Sequence, residues 1–319
     1  MRPLPFGVGA VFLYLKLWQR EFSKGMEFRE KIQNGDFVIS CEVDPPKVPR
    51  LRRTLHKLSP ILPLLDGLSV SDNPLAGLRM DALACTAILL QNFEKEVVLH
   101  VTCRDFTLLG LHSRLLGAWA LGIENILCLT GDPPKLGMFR KGKGAFPCNS
   151  VGLVKIAKAL NRGETSEHHT LKAKTDFHIG VAANPCASNI KVEVDRLKRK
   201  ADAGAQFIKT QPVFDLKTLD RFLDAAEKVG LPIVLGVMPL VSARFAQHIA
   251  ESIPEVFVPA KVIKVLEGND SEETGVELSK TLMTMARPRV QGFHIFPMAK
   301  YHLVPKLLEG ASFAEETES

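Results

Sequence analysis

The chain has 319 residues, 46% of them apolar and 24% charged, with a formal net charge of +6. That apolar share over that length excludes a disordered chain and suffices for one large core or two smaller ones. The positive balance suits a protein that handles anions. It does not point to nucleic acid, because no DNA- or RNA-binding motif and no aromatic-rich basic face accompanies it.

The N-terminus places an apolar run, Phe6 to Leu15, between Arg2 and Lys16. It is too short to span a bilayer and lacks an Ala-x-Ala cleavage site. Residues 1–25 therefore read as an extension: an upstream start with Met26 as the physiological one, a docking helix, or a targeting signal. From residue 36 onward, strand-like apolar runs alternate with helical periodicity. Strands are expected at 37–42, 68–71, 97–102, 125–130, 177–183, 206–210, 232–237 and 292–296. Helices are expected near 50–65, 77–92, 106–120, 150–161, 190–203, from Asp215 to Gly230, 243–252, 273–286 and 299–309. Basic, glycine-bearing 135–148 and polar 162–176 read as loops, and Pro254–Gly268 as a connection between two helices. Eight strands, each followed by helix, match a (β/α)8 TIM barrel forming a single domain over 26–310, with an acidic tail at 311–319. A doubly wound sheet is the runner-up, but no GxGxxG follows any strand.

The six cysteines, at 41, 85, 103, 128, 148 and 186, include no CxxC pair and no His/Cys cluster of metal-ligand spacing. No metal site is expected. Cys41, Cys103 and Cys128 lie in apolar runs and read as small hydrophobes in a reducing compartment, so a cytoplasmic location is expected.

In a barrel of this kind the C-terminal strand ends build the site. Here those ends are polar although the strands behind them are apolar. Val38-Ile-Ser-Cys-Glu42 runs into Val43-Asp-Pro-Pro46, and Leu127-Cys-Leu-Thr-Gly-Asp132 into Pro133-Pro134. Two acids at two strand tips, each ahead of Pro-Pro, point to one site assembled from several tips. Glu42 follows a run that should be buried, which would raise its pKa into the range of a general acid; the plain alternative is a surface turn carboxylate. Asp132 could orient a ligand beside Gly131, or be an Asx-turn residue. Gln211 could read an amide-like edge, or be a satisfied loop amide. His100 reads as a ligand residue or a packed core histidine. Arg199 and Lys200 read as a phosphate site or a solvated helix face.

Six of these stretches, taken in order, resemble the methylenetetrahydrofolate reductase family. They are Cys41-Glu-Val-Asp-Pro-Pro46, His100-Val-Thr-Cys-Arg-Asp105, Asn125-Ile-Leu-Cys-Leu-Thr-Gly-Asp-Pro-Pro134, Leu197-Lys-Arg-Lys-Ala-Asp-Ala-Gly-Ala205, Thr210-Gln211 and Gly236-Val-Met-Pro-Leu240. The resemblance covers roughly 30 to 305. It implies a flavin-bearing barrel that reduces 5,10-methylenetetrahydrofolate to 5-methyltetrahydrofolate, or runs the reverse oxidation, in one-carbon metabolism and methionine biosynthesis. On this resemblance Glu42 matches the general acid that protonates the folate N10 and opens an iminium at N5, to which the reduced flavin passes its hydride. Asp132 matches the carboxylate beside flavin and pterin, Gln211 the pterin-binding amide, and Lys300 a cation near the folate tail. Ser71, His100, Leu129, Gly131, Asp132, Ala182, Glu193, Arg199 and Lys200 match flavin-binding positions.

The chain also departs from the family pattern. Cys41 stands for the usual aromatic, Asn184-Pro-Cys-Ala187 for a longer segment at the flavin's adenosine side, and Ala243 or Arg244 for an aromatic after the Gly-x-x-Pro loop. FAD is therefore expected with FMN possible. The electron donor is either NAD(P)H or an iron–sulfur partner subunit in a larger complex, and an oligomer is expected. Two readings of other classes stand beside this one: a non-catalytic flavin- or folate-binding subunit, and a barrel aldolase using Lys209 as a Schiff-base lysine.

Overall fold

The structure is a computed structural model and describes residues 28–253 and 255–309. The N-terminal extension and the acidic tail lie outside the described residues. Eight parallel strands close into a barrel in chain order. They are β1 (Val38–Val43), β2 (Gly67–Val70), β3 (Glu96–Thr102), β4 (Asn125–Leu129), β5 (His178–Ala183), β6 (Phe207–Pro212), β7 (Ile233–Val237) and β8 (Gly292–Ile295). Every expected strand is present within two residues of its expected bounds.

The helices are α1 (Phe28–Asn34), α2 (Arg52–Leu58), α3 (Ala82–Asn92), α4 (Leu108–Ala120), α5 (Ser150–Asn161), α6 (Ile190–Asp202), α7 (Leu216–Ala226), α8 (Ala243–Ser252), α9 (Ala260–Gly268), α10 (Glu272–Ala286) and α11 (Leu303–Leu308). Several differ from expectation for local reasons. The stretch expected as one helix over 50–65 turns to 3-10 geometry at Ser59, where Pro60 and Pro63 interrupt the α-helical hydrogen bonds. The helix expected from 77 begins at Ala82, where the Asp81 carboxylate accepts the Ala84 N–H at 2.9 Å. The last helix begins at Leu303, because Met298 and Ala299 sit at φ +48° and +62°, outside the right-handed helix region. Helices α1 and α9 are additions to the expected set. None of the helices of the described residues is long and apolar enough to cross a membrane.

Period-two alternation sorts each strand into two faces. Ile39, Cys41 and Val43 of β1 join the main core between barrel and helices. Val38, Ser40 and Glu42 point into the barrel. The interior is layered. At its N-terminal end Val38, Val98, Leu127, Phe207 and Val234 meet Phe28 and Ile32, so α1 plugs the barrel. Above this layer lie Ser40, Ser69, His100, Lys209 and His294, all buried. The candidate site residues crown that polar layer.

Candidate active site

Glu42, the penultimate residue of β1, has a side chain only 13% exposed. Burial raises its carboxyl well above the usual range; Asp44 adds to the shift and Lys209 opposes it. Its Oε2 lies 3.5 Å from His294 Nε2. That nitrogen is buried and has no hydrogen-bond partner among the described residues. The other ring nitrogen, Nδ1, is 3.0 Å from the Ser40 hydroxyl. Burial, then Lys209 and His100, hold His294 well below the ordinary histidine range, so it is a neutral imidazole. A neutral carboxyl beside a neutral imidazole is a proton-donating arrangement rather than an ion pair.

Asp132 follows β4 and is half-buried. Its Oδ2 accepts the Leu75 N–H at 2.7 Å, which ties it to the loop after β2. That loop carries Asn73, Leu75 and Ala76 at φ +47°, +52° and +51°, a conformation non-glycine residues adopt at a cost. Buried Arg104, just after β3, donates to the carbonyls of Asn73 and Asp132 at 3.2 and 3.4 Å and to the Asp105 carboxylate. Three loops are thereby joined around Asp132. A cavity of about 190 Å³ opens beside the junction, lined in part by Asn73, Leu78, Arg104, Asp105 and Phe139.

Gly131 sits at φ +91°, and a Cβ there would lie 3.0 Å from the Cβ atoms of both Thr102 and Arg104. The close approach this glycine permits is to the tip of β3. Gly131→Ala is expected to destabilise the fold by about 1–3 kcal/mol. Chemical denaturation measures this, and an unchanged midpoint would refute the packing role.

The remaining expected residues divide by what they touch. The Ser71 hydroxyl donates to Asp44 Oδ1 at 2.6 Å. His100 is buried, with Nε2 2.8 Å from the Ser69 hydroxyl. Leu129 packs on the apolar interior layer. Lys200 is buried and donates to the Ala182 carbonyl at 2.6 Å. Glu193 accepts the Asn184 N–H at 3.0 Å and the Arg196 guanidinium at 2.9 Å. Glu193 and Lys200 thus brace the β5–α6 backbone from inside, while Arg199 is exposed. Gln211 is half-buried on β6, where the pairing with β7 shifts register between Lys209 and Pro212. Such a bulge re-aims a side chain at a barrel rim. Gly236 makes it possible: a Cβ there would lie 2.4 Å from the Thr210 carbonyl oxygen. Lys300 pairs with the Glu272 carboxylate, whose other oxygen lies 3.0 Å from His302 Nε2. These two contacts, His302 first, lower Glu272 to about 2. The Lys300 charge is thus already matched within the chain.

Glu42, Ser71, His100, Leu129, Gly131, Asp132, Ala182 and Gln211 all stand at or near the C-terminal ends of β1 to β6, around one mouth. Sequence reasoning missed the groups beneath: Ser40, Ser69 and His294, with Asp44 and Arg104 at the rim. One signal could have found the first three. Each is a polar residue at an inward position of an otherwise apolar strand.

A family profile described as methylenetetrahydrofolate reductase matches residues 27–312. The 5,10-methylenetetrahydrofolate reductase of Salmonella typhimurium is 28% identical over 280 residues, covering 83% of this chain and 87% of that protein. Its counterpart in Escherichia coli is 27% identical over the same span. Methylenetetrahydrofolate reductase 2 of Saccharomyces cerevisiae is 31% identical over 174 residues, 51% of this chain and 27% of that one. A solved structure from Burkholderia cenocepacia J2315 aligns with a TM-score of 0.51 at 12% identity over 92% of this chain and 87% of that one, a likeness of barrel alone.

Proposed function

The chain belongs to the methylenetetrahydrofolate reductase family, and on that premise we propose that it is a flavin-dependent catalyst with Glu42 as general acid. It is an oxidoreductase of that family, interconverting 5,10-methylenetetrahydrofolate and 5-methyltetrahydrofolate. The observation that carries the acid role is the Glu42 carboxyl, pushed up by burial at a strand tip with a neutral imidazole 3.5 Å away. A protonated Glu42 has a proton to give to the folate N10, which opens the five-membered ring to an iminium at N5. The Asp132 carboxylate then favours the cation electrostatically. The Gln211 amide offers a donor and an acceptor to the pterin edge. Lys300 gives the folate tail a cation once that tail competes with Glu272.

A bound flavin would supply the hydride. The residues present fit such a group. Ser71, His100, Leu129, Gly131, Asp132 and Ala182 run along neighbouring tips from β2 to β5, and Glu193 and Lys200 fix the backbone that leads to exposed Arg199. Ser71 and Asp132 would orient the group, and Arg199 would meet its phosphate. FAD or FMN satisfies this set equally. The electron donor is NAD(P)H or an iron–sulfur partner subunit, and the setting is cytoplasmic one-carbon metabolism.

The purified full-length protein should carry a flavin whose visible absorbance bleaches anaerobically on adding 5-methyltetrahydrofolate. Assays with NADH, NADPH and reduced ferredoxin then identify the donor. A flavin that methyltetrahydrofolate leaves oxidised would overturn the reading in favour of a non-catalytic binding subunit.

A further inference from the structure

Lys209 is a lysine inside the barrel that the reaction does not require. β6 alternates Phe207, Lys209 and Gln211 toward the interior, and Lys209 is only 2% exposed. Its ammonium donates to the Ser69 hydroxyl at 2.9 Å, and that hydroxyl lies 2.8 Å from His100 Nε2. The chain of contacts joins β6, β2 and β3. We infer that Lys209 is a positioning residue: by donating to Ser69 it directs the Ser69–His100 hydrogen bond and fixes His100 as the tautomer protonated on Nδ1.

The donors and acceptors around Ser69 set the direction of each bond. An ammonium has three protons and no lone pair, so toward Lys209 the Ser69 oxygen must accept. The hydroxyl has one proton, and among the described residues its remaining partner is His100 Nε2; with Nε2 protonated the oxygen would accept from both sides and leave that proton, fully buried, without an acceptor. A neutral imidazole that accepts at Nε2 carries its proton on Nδ1. His100 is neutral, since burial, with Lys209 adding, pushes it down to about 3. A cationic imidazole, which would donate from both nitrogens, is thereby excluded.

The groups facing Lys209 come from five elements. Glu42 of β1, when ionised, favours its charge, whereas His100 of β3 and His294 of β8 feel that charge as a depression of their own basicity. Ser69 of β2 accepts from it, and the Phe28 ring of α1 lies with its centroid 5.2 Å from the ammonium. Burial outweighs the pull of Glu42 and brings Lys209 down to about 7. An unprotonated amine can accept, so above that pH Ser69 is free to turn toward Lys209 and the constraint on His100 relaxes. The tautomer itself follows from these contacts and from the neutrality of His100, without any flavin. Only its use, an N–H donor presented to the flavin, rests on the proposed function.

The test is nitrogen-15 NMR of the full chain labelled at histidine, with His100 assigned from a His100→Gln variant. At pH 6 the His100 spectrum should show Nδ1 protonated and Nε2 bare. Lys209→Met, which keeps the volume and removes the buried charge, should move the ratio of the two tautomers by at least about tenfold, the worth of one hydrogen bond to a charged group. Ser69→Ala should relax it similarly. The signals of His178, whose Nδ1 is 2.9 Å from Asn125 Oδ1 at the opposite end of the barrel, should stay in place and report an intact fold. Nε2 protonated in the unmodified protein, or a tautomer indifferent to both substitutions in folded variants, would overturn the inference. These readouts need no flavin, so a protein that binds none would refute the proposed function and leave the tautomer assignment standing.

Discussion

Replacing Glu42 by Gln should lower folate reduction by about 10²–10⁴-fold, the ordinary range for loss of a general acid. On the proposed function, flavin content and reduction of the flavin by its electron donor should stay near the unmodified level. The glutamine keeps the shape of the side chain in a pocket that leaves it 13% exposed, and it takes away only the titratable proton. The two half-reactions should therefore separate in stopped-flow measurement. The pH dependence has a definite sign. Burial, reinforced by Asp44, raises Glu42, so the protonated acid persists to a higher pH than for a free glutamate. Folate reduction should hold at low pH and fall as pH rises through that raised value, and the Gln variant should lose this limb. A variant that reduces methylenetetrahydrofolate within fivefold, roughly, of the normal rate would remove Glu42 from the acid role, because even the weakest general acids contribute more.

The second large effect is on stability. Phe207→Ala should cost about 3–5 kcal/mol. Phe207 is fully buried at the inward start of β6, edge-on to Phe28 with centroids 5.7 Å apart and tilted against His178 at 4.7 Å. Its ring also fills the place of a side chain on β5: a Cβ on Gly180 would lie 2.3 Å from it. The facing glycine cannot expand into the gap, so the truncation leaves a cavity between the α1 plug and the layer containing Lys209. A lower urea midpoint with an unchanged denaturant slope is the expected result. A loss below about 1 kcal/mol would mean that α1 collapses into the space and that the plug is soft.

The barrel was legible in the sequence because its elements have strong local signatures. Buried parallel strands read as continuous apolar runs, and the acids ahead of Pro-Pro marked two of their ends. Two helices were not legible. α1 is seven residues long with only Phe28 and Ile32 buried, so its periodicity scarcely rises above that of a polar stretch. α9 starts after Pro259 without a side-chain cap. The helix expected from 299 failed for a different reason, since two non-glycine residues there take positive φ under tertiary constraint.

For the site, residue type and position along each strand were determined by the sequence alone: which acids, amides and histidines reach the mouth, and that Glu42 ends a buried run. The pairings were decided only by tertiary structure. Lys300 meets Glu272, 28 positions away, and Lys209 meets Ser69, 140 positions away. Alternation places a side chain on a face of its own strand, but which strand lies opposite depends on closure of the barrel. A hydrogen bond acts through a few ångströms of space, whatever the number of residues between its partners. That is why the acid could be read from the chain, while the neutral His294 beside it and the Lys209–Ser69–His100 relay beneath it emerged only in the fold.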